Sequence, residues 1–363
     1  MTRSLSLTLV CTLVLASSLL ARAGDEQGRL ILSVSEPDTR RKFSVVLLDP
    51  ATKKVETLLQ ADEKQSYVAI GLSPNGNILA VMEDDGKKRQ ITFRALAKPQ
   101  EVIRALGKGH IWPAFLDDEN VVVAAPLTEG GEKKGMVIKK VNLASGEEVE
   151  MQAVPGGIWN DVPLTLSPDR KRLIYYRSRD DRGKDRRGLY ILDIEKGTEE
   201  PLSEGGTFFS WLPDSQHGYM FNKEEKKLKL VKSVPGKPLE VVSDLGELSV
   251  IGVQLKANEV LYTKFKMNEK GRPEGLEAFH LDKKANVETS LSTSIPLDEF
   301  SLLRAFVRLQ NTDWFVFSEA EPGAKKLRRR PRRLVLARVV GGKLERSILL
   351  EGKGGIGFPI SLP

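Results

Sequence analysis

Short apolar segments separated by turn residues recur along the chain from Arg29 to its end, and they fall into four classes that follow one another in a fixed order. The first class begins at Tyr67, His110, Asp161, Phe208, Leu248 and Leu302. The second begins at Arg29, Asn77, Asn120, Arg172, His217, Glu259 and Asp313. The third begins at Phe43, Ile91, Met136, Gly188, Leu228, Leu276 and Leu334, and the fourth at Lys54, Gln100, Glu147, Thr198, Pro238, Asn286 and Leu344. Each segment has the length and the β-branched or aromatic content of a strand bounded by a turn. Repeat markers at Pro74, Asp117, Pro168, Pro213, Lys256, Gln310 and Pro363 lie 43, 51, 45, 43, 54 and 53 residues apart. That period is the size of a four-stranded propeller blade.

Three classes have seven members and the first has six, so one first strand is missing. Gly357-Phe358-Pro359-Ile360-Ser361-Leu362-Pro363 resembles the Ile70-Gly71-Leu72-Ser73-Pro74 end of a first strand. The sequence therefore predicts an all-β, seven-bladed β-propeller of four-stranded antiparallel blades, closed by the C-terminal strand pairing into the N-terminal blade. Six or eight blades stay as alternatives. Closure has a physical cause: a twisted sheet has two apolar faces and two open edges, and radial packing of blades buries the faces and shelters the edges.

The turns fit this ring. Ser73-Pro74-Asn75-Gly76, Ser167-Pro168-Asp169 and Pro213-Asp214-Ser215 end first strands with tight-turn chemistry. Asp49, Asn142, Asp193 and Asp282 precede polar reversals between third and fourth strands, two of which hold Gly146 and Gly197. Leu166-Ser167-Pro168-Asp169-Arg170-Lys171-Arg172-Leu173, followed by Gly188-Leu189-Tyr190-Ile191-Leu192-Asp193 and Gly197, resembles the repeat of TolB-like propellers, also described as WD-like repeats. Partial copies lie at Ser73 to Ala80 and at Pro213-Asp214, and Arg170 stands where that repeat usually has glycine. The resemblance implies an exported propeller that binds proteins or peptides through one face or its channel; its motif specifies a turn and names no reaction.

Residues 1–23 read as a signal peptide: Arg3 precedes an apolar run from Leu5 to Leu20, and Ala21-Arg22-Ala23 forms a cleavage site. A retained anchor and a lipidated Cys11 are the competing readings. Residues 24–363 then form a single propeller domain, expected to be soluble and either periplasmic or extracellular, with no transmembrane segment after cleavage. Losing Arg3 and Arg22 lowers the formal charge from +7 to +5. The sole cysteine, Cys11, leaves with the leader, which excludes a disulfide, a thiolate nucleophile or a cysteine-held metal from the mature chain.

Chain direction alternates within a blade, so connections after second and fourth strands share one face. That face has the longer connections, at 35–42, 84–90, 127–135, 179–187, 266–275 and 320–333, and long loops on a rigid scaffold are where binding resides. The last of them holds Lys325, Lys326, Arg328, Arg329, Arg330, Arg332 and Arg333 against Glu321, a local +6. It suits an anionic polymer or surface, or else is a solvated hairpin tip. Nucleic acid is disfavoured because no stacking aromatics are interleaved. On the same face, His110, Trp112, Trp159, Asn160, Asp161, Phe208, Asp298, Glu299 and Phe300 fall near the starts of first strands. They would form an aromatic, mildly acidic funnel for a peptide or small ligand; alternatively, the tryptophans pack between blades.

Catalytic motifs are sparse. His110, His217 and His280 belong to different blades, and the chain has no H-E-x-x-H, G-x-S-x-G or phosphate-cradling glycine loop. The expectation is a non-catalytic binding or scaffold propeller without cofactor or metal, engaging a protein or peptide in the cell envelope or outside. The alternative is a channel-centred hydrolase or lyase acting on a glycan or lactone.

Overall fold

A computed structural model describes residues 28–362 except 36–41, 108, 130–131, 156, 159–163, 178–187, 205, 223, 226, 235–236, 238, 248, 257–258, 271–272, 283, 285–286, 297–306, 310–311, 321–331, 341–342, 353–355 and 357–359. Its regular elements are all strands, assembled as seven four-stranded antiparallel sheets, each in the order first, second, third, fourth strand. The protein is a seven-bladed β-propeller. First strands of blades two to seven are Ser66–Leu72, Ile111–Phe115, Thr165–Leu166, Gly206–Trp211, Ser249–Lys256 and Val307–Arg308. Blade one is completed from the other end of the chain: Ile360–Ser361 pairs antiparallel with Leu30–Ser35, Leu30 opposite Ser361 and Ile31 opposite Ile360. Ile356 adds a bridge to Val34, and the Leu362 amide donates to the Arg29 carbonyl at 2.9 Å.

Second strands carry the core, for a reason visible in their side-chain alternation. Leu30 and Leu32 pack toward blade seven while Ile31 packs toward blade two. Leu173 and Tyr175 face blade three, and Ile174 and Tyr176 face blade five. A strand sandwiched between two neighbours must be apolar on both sides, which is why these segments read as unbroken hydrophobic runs. Full burial of each such Leu, Ile or Val contributes about 1.5–3 kcal/mol. Fourth strands lie at the perimeter, with Val55, Val102, Val149, Val241 and Val287 exposed.

Turns after first and third strands staple the blades together. In blades two and four, Ser73 and Ser167 accept the amides of Ile78 (2.9 Å) and Arg172 (3.0 Å) on their hydroxyls. Asp49, Asn142, Asp193 and Asp282 each accept backbone amides two or three residues on, the Asx-turn role expected of them. Cross-blade bonds follow: the Asn75 amide donates to Asp118 (2.8 Å), the Asp169 amide to the Ser215 hydroxyl (2.9 Å) and Lys53 to the Ile348 carbonyl (3.0 Å). Arg172 is buried, donates to the carbonyls of Ser215 and Ser233, and lies 4.6 Å from the centre of the Trp211 ring.

Candidate functional site

The first strands are not regular. Those of blades two, three, five and six each carry an extra residue against their second strands, at Ala69/Gly71, Ile111/Ala114, Gly206/Phe208 and Ser249/Ile251. Such bulges twist a strand and redirect a side chain, and here they recur in the strands that begin at the long-loop face. In blade three the bulge holds Trp112 at φ +44°, a left-handed conformation that is uncommon and strained for a bulky side chain. Pro113 follows it, and Gly109 at φ +91° precedes it; a Cβ on Gly109 would meet Pro126 Cγ at 2.7 Å. The approach to this strand is thus fixed by close contact.

Of the funnel residues, three are described. His110 is half-buried, and its Nδ1 lies 2.8 Å from the Gly107 carbonyl oxygen, so Nδ1 is the donor of that bond. Its Nε2 is shielded from solvent and has no hydrogen-bond partner among the described residues. Trp112 is half-buried and packs on the cluster between blades three and four, beside Ala114 and Leu116. Phe208 lies in the bulged first strand of blade five and is 42% exposed, a large apolar ring shown to solvent. Trp159, Asn160, Asp161, Asp298, Glu299 and Phe300 lie outside the described residues, as do Lys325, Lys326, Arg328, Arg329 and Arg330. Arg332 and Arg333 belong to the third strand of blade seven, Arg332–Val340, and Arg333 pairs with Glu351 at 2.8 Å. These two arginines thus sit in the sheet, although the sequence suggested the loop.

The sheets also pair a set of charged residues that sequence reasoning missed. In blade two, Glu83 and Arg94 pair at 2.5 Å, both side chains 8% exposed, with Thr92 also donating to Glu83. In blade four, Arg177 pairs with Glu199 at 2.8 Å, Tyr175 donates to the same carboxylate, and Arg177 lies 4.5 Å from the Tyr190 ring centre. In blade six, Lys264 pairs with Glu288 at 2.8 Å and lies 4.7 Å from the Phe279 ring centre. Each cluster shares the side of its sheet that packs on the preceding blade. Burial pushes the Glu83 carboxyl up, but hydrogen bonds from Thr92 and Arg94 outweigh it and hold the group below its ordinary value. Burial alone lowers Lys264 and raises Glu288. A signal was present in the sequence: Tyr175-x-Arg177 and Tyr262-x-Lys264 recur at one offset in two second strands, each followed by a glutamate in the fourth strand.

No group of three or more His, Cys, Asp or Glu placed to hold a metal ion occurs among the described residues. No helix among them is long and apolar enough to cross a membrane. No protein-family model matches the chain, and no curated protein matches its sequence. Solved structures share its fold. TolB from Acinetobacter baumannii is 18% identical with a TM-score of 0.53, over 94% of this chain and 68% of that one. An oligogalacturonate lyase in complex with manganese is 14% identical with a TM-score of 0.57, over 88% and 85%. The periplasmic gluconolactonase of Pseudomonas aeruginosa is 11% identical with a TM-score of 0.52, over 93% and 99%. The fold is therefore one shared by TolB propellers and by propeller enzymes alike.

Proposed function

We propose that this chain is an exported, non-catalytic binding propeller that engages a protein or peptide partner through its long-loop face and channel mouth. The basic loop residues Lys325, Lys326, Arg328, Arg329 and Arg330 would contact an anionic surface of that partner. The observation that carries this reading is the contrast between the two faces. Short turns on one face spend their polar groups on each other and on the adjacent blade, as Asn75 with Asp118 and Asp169 with Ser215 do. The opposite face receives the bulged first strands, the exposed Phe208 ring and the long connections. An exposed aromatic on a rigid strand loses little conformational entropy on binding, which suits it as an anchor.

Affinity capture from the cells that make the protein tests the reading. The wild-type chain and a Lys53→Ala control on the short-turn face should recover the same partner. Phe208→Ala combined with Ser at Arg328, Arg329 and Arg330 should weaken recovery about thirtyfold or more, the scale of losing a hot-spot residue. Equal recovery by all three would remove the long-loop face from the proposal. The competing reading, a hydrolase or lyase acting on a lactone or glycan, draws on the fold shared with the gluconolactonase and the oligogalacturonate lyase. Steady turnover of a sugar lactone or an oligogalacturonate by the purified wild-type protein would establish it instead.

A further inference from the structure

At the interface between blades five and six, two tyrosine hydroxyls have no partner among the described residues. Tyr219 reaches it from the second strand of blade five and Tyr262 from the second strand of blade six. They are 1% and 0% exposed, and neither hydroxyl has a hydrogen-bond partner among the described residues. Burial also drives the Tyr219 phenol well above its ordinary pKa, and a phenol hydroxyl can both donate and accept a hydrogen bond. Their neighbours in the cluster are Leu212, Leu228, Leu230, Leu245, Val260 and Leu281, whose side chains offer nothing polar.

The equivalent position in blade four shows what is unusual. Tyr175 pairs across its sheet with Tyr190, as Tyr262 does with Phe279, and Glu199 opposes Leu192 as Glu288 opposes Leu281. Arg177 and Tyr175 share Glu199, so the blade-four phenol is satisfied. In blade six the carboxylate gives both oxygens to Lys264, at 2.8 and 2.9 Å, and none to Tyr262. The ring cannot swing away to find water, because it stacks on Phe279 with centroids 5.8 Å apart. Buried polar groups in folded proteins almost always have a partner, and an orphan costs about 1–3 kcal/mol. Two orphans in one apolar cluster point to a third component.

We infer that the interface between blades five and six encloses a small, neutral, hydroxylic guest with the size and chemistry of a water molecule, shared by the Tyr219 and Tyr262 hydroxyls. A charged ligand does not suit the site, since the aliphatic residues described in its lining offer no counter-charge and Lys264 and Glu288 are paired with each other. The guest acts as a polar pin between two blades, doing at this seam what Glu199 does for Tyr175.

Tyrosine-to-phenylalanine variants test this with little steric change. If the guest is shared, Tyr219→Phe and Tyr262→Phe each raise the unfolding equilibrium constant roughly tenfold. The double variant is then no worse than the poorer single, since either change breaks the same bridge. The long-lived contribution to water oxygen-17 relaxation also falls in the double variant relative to wild type. Singles as stable as wild type or more so, or losses that add, overturn the inference. A crystal structure of the wild-type protein without density bonded to both hydroxyls overturns it too, however the variants fold.

Discussion

Glu83 shows how a buried charge is made tolerable. Taking one ion out of water costs several kcal/mol, and Arg94, Thr92 and Gln90 together return that cost through charge-assisted bonds. Because its folded pKa lies below the ordinary 4.5, Glu83 contributes stability in full above that value and loses it as pH falls through the folded pKa. Glu288 has the opposite sign: burial raises its folded pKa, so its charge costs stability at neutral pH and the cost is relieved on acidification. We expect Glu83→Gln to lose about 3–5 kcal/mol at pH 7, because Arg94 is left buried without its counter-charge. The variant's unfolding midpoint should also fall less steeply than wild type below pH 4.5. Parallel acid limbs in the two proteins would show that the pair does not couple to folding. Neither partner was singled out in the sequence, because Glu83 and Arg94 sit in different strands and only the fold makes them neighbours.

Among the elements, the turn after the first strand shows how one conformation is reached by different residues. Gly76, Arg170 and Ser215 occupy the same turn position in blades two, four and five, at φ +76°, +62° and +58°. Glycine adopts this region freely. Arg170 instead offsets the strain with a 2.5 Å bond from its guanidinium to the Phe115 carbonyl of the preceding blade. The Ser-Pro-Asp turns were legible in the sequence because their chemistry is local. The bulge at Trp112 was not, since it depends on the register against Asn120–Glu129. Close approach between strands gives a sharper test at Gly188, whose added Cβ would lie 2.5 Å from the Ser203 carbonyl oxygen. Gly188→Ala should lower stability by about 1–3 kcal/mol through forced separation of the third and fourth strands of blade four. Chemical denaturation would measure the loss; an unchanged midpoint would mean that the strands part at no cost.

For the molecule as a whole, closure rests on a strand of only two residues with apolar anchors on either side. Ile356 and Leu362 are buried against the first blade and its neighbours, and Ile360 packs beside Leu362. Removing 356–363 should destabilise the ring by about 3–6 kcal/mol from Ile356 and Leu362 alone. Proteolysis should then begin at blades one and seven. A truncated chain with the wild-type melting temperature would mean that the tail does not hold the ring shut. The seven-strand rhythm made this closure readable, because class order and a missing first strand are properties of the chain. The site was only partly readable. Its aromatic members could be assigned to strand starts, whereas the side on which each ring packs depends on the adjoining blade, as Trp112 against the blade three–four cluster and the exposed Phe208 demonstrate.

By itself the sequence pointed to seven blades while leaving six or eight open, and it determined the strand order within them, the terminal strand closure and the Asx and Ser turns, because alternation and turn chemistry act over a few residues. Only the tertiary structure decided which charges meet. Glu83 with Arg94, Arg177 with Glu199 and Lys264 with Glu288 are paired by sheet register, and the unpartnered Tyr219 and Tyr262 are brought together by the packing of two blades. A residue's periodicity tells which side of its strand it lies on, but its partner is set by the neighbouring surface, which no local pattern encodes.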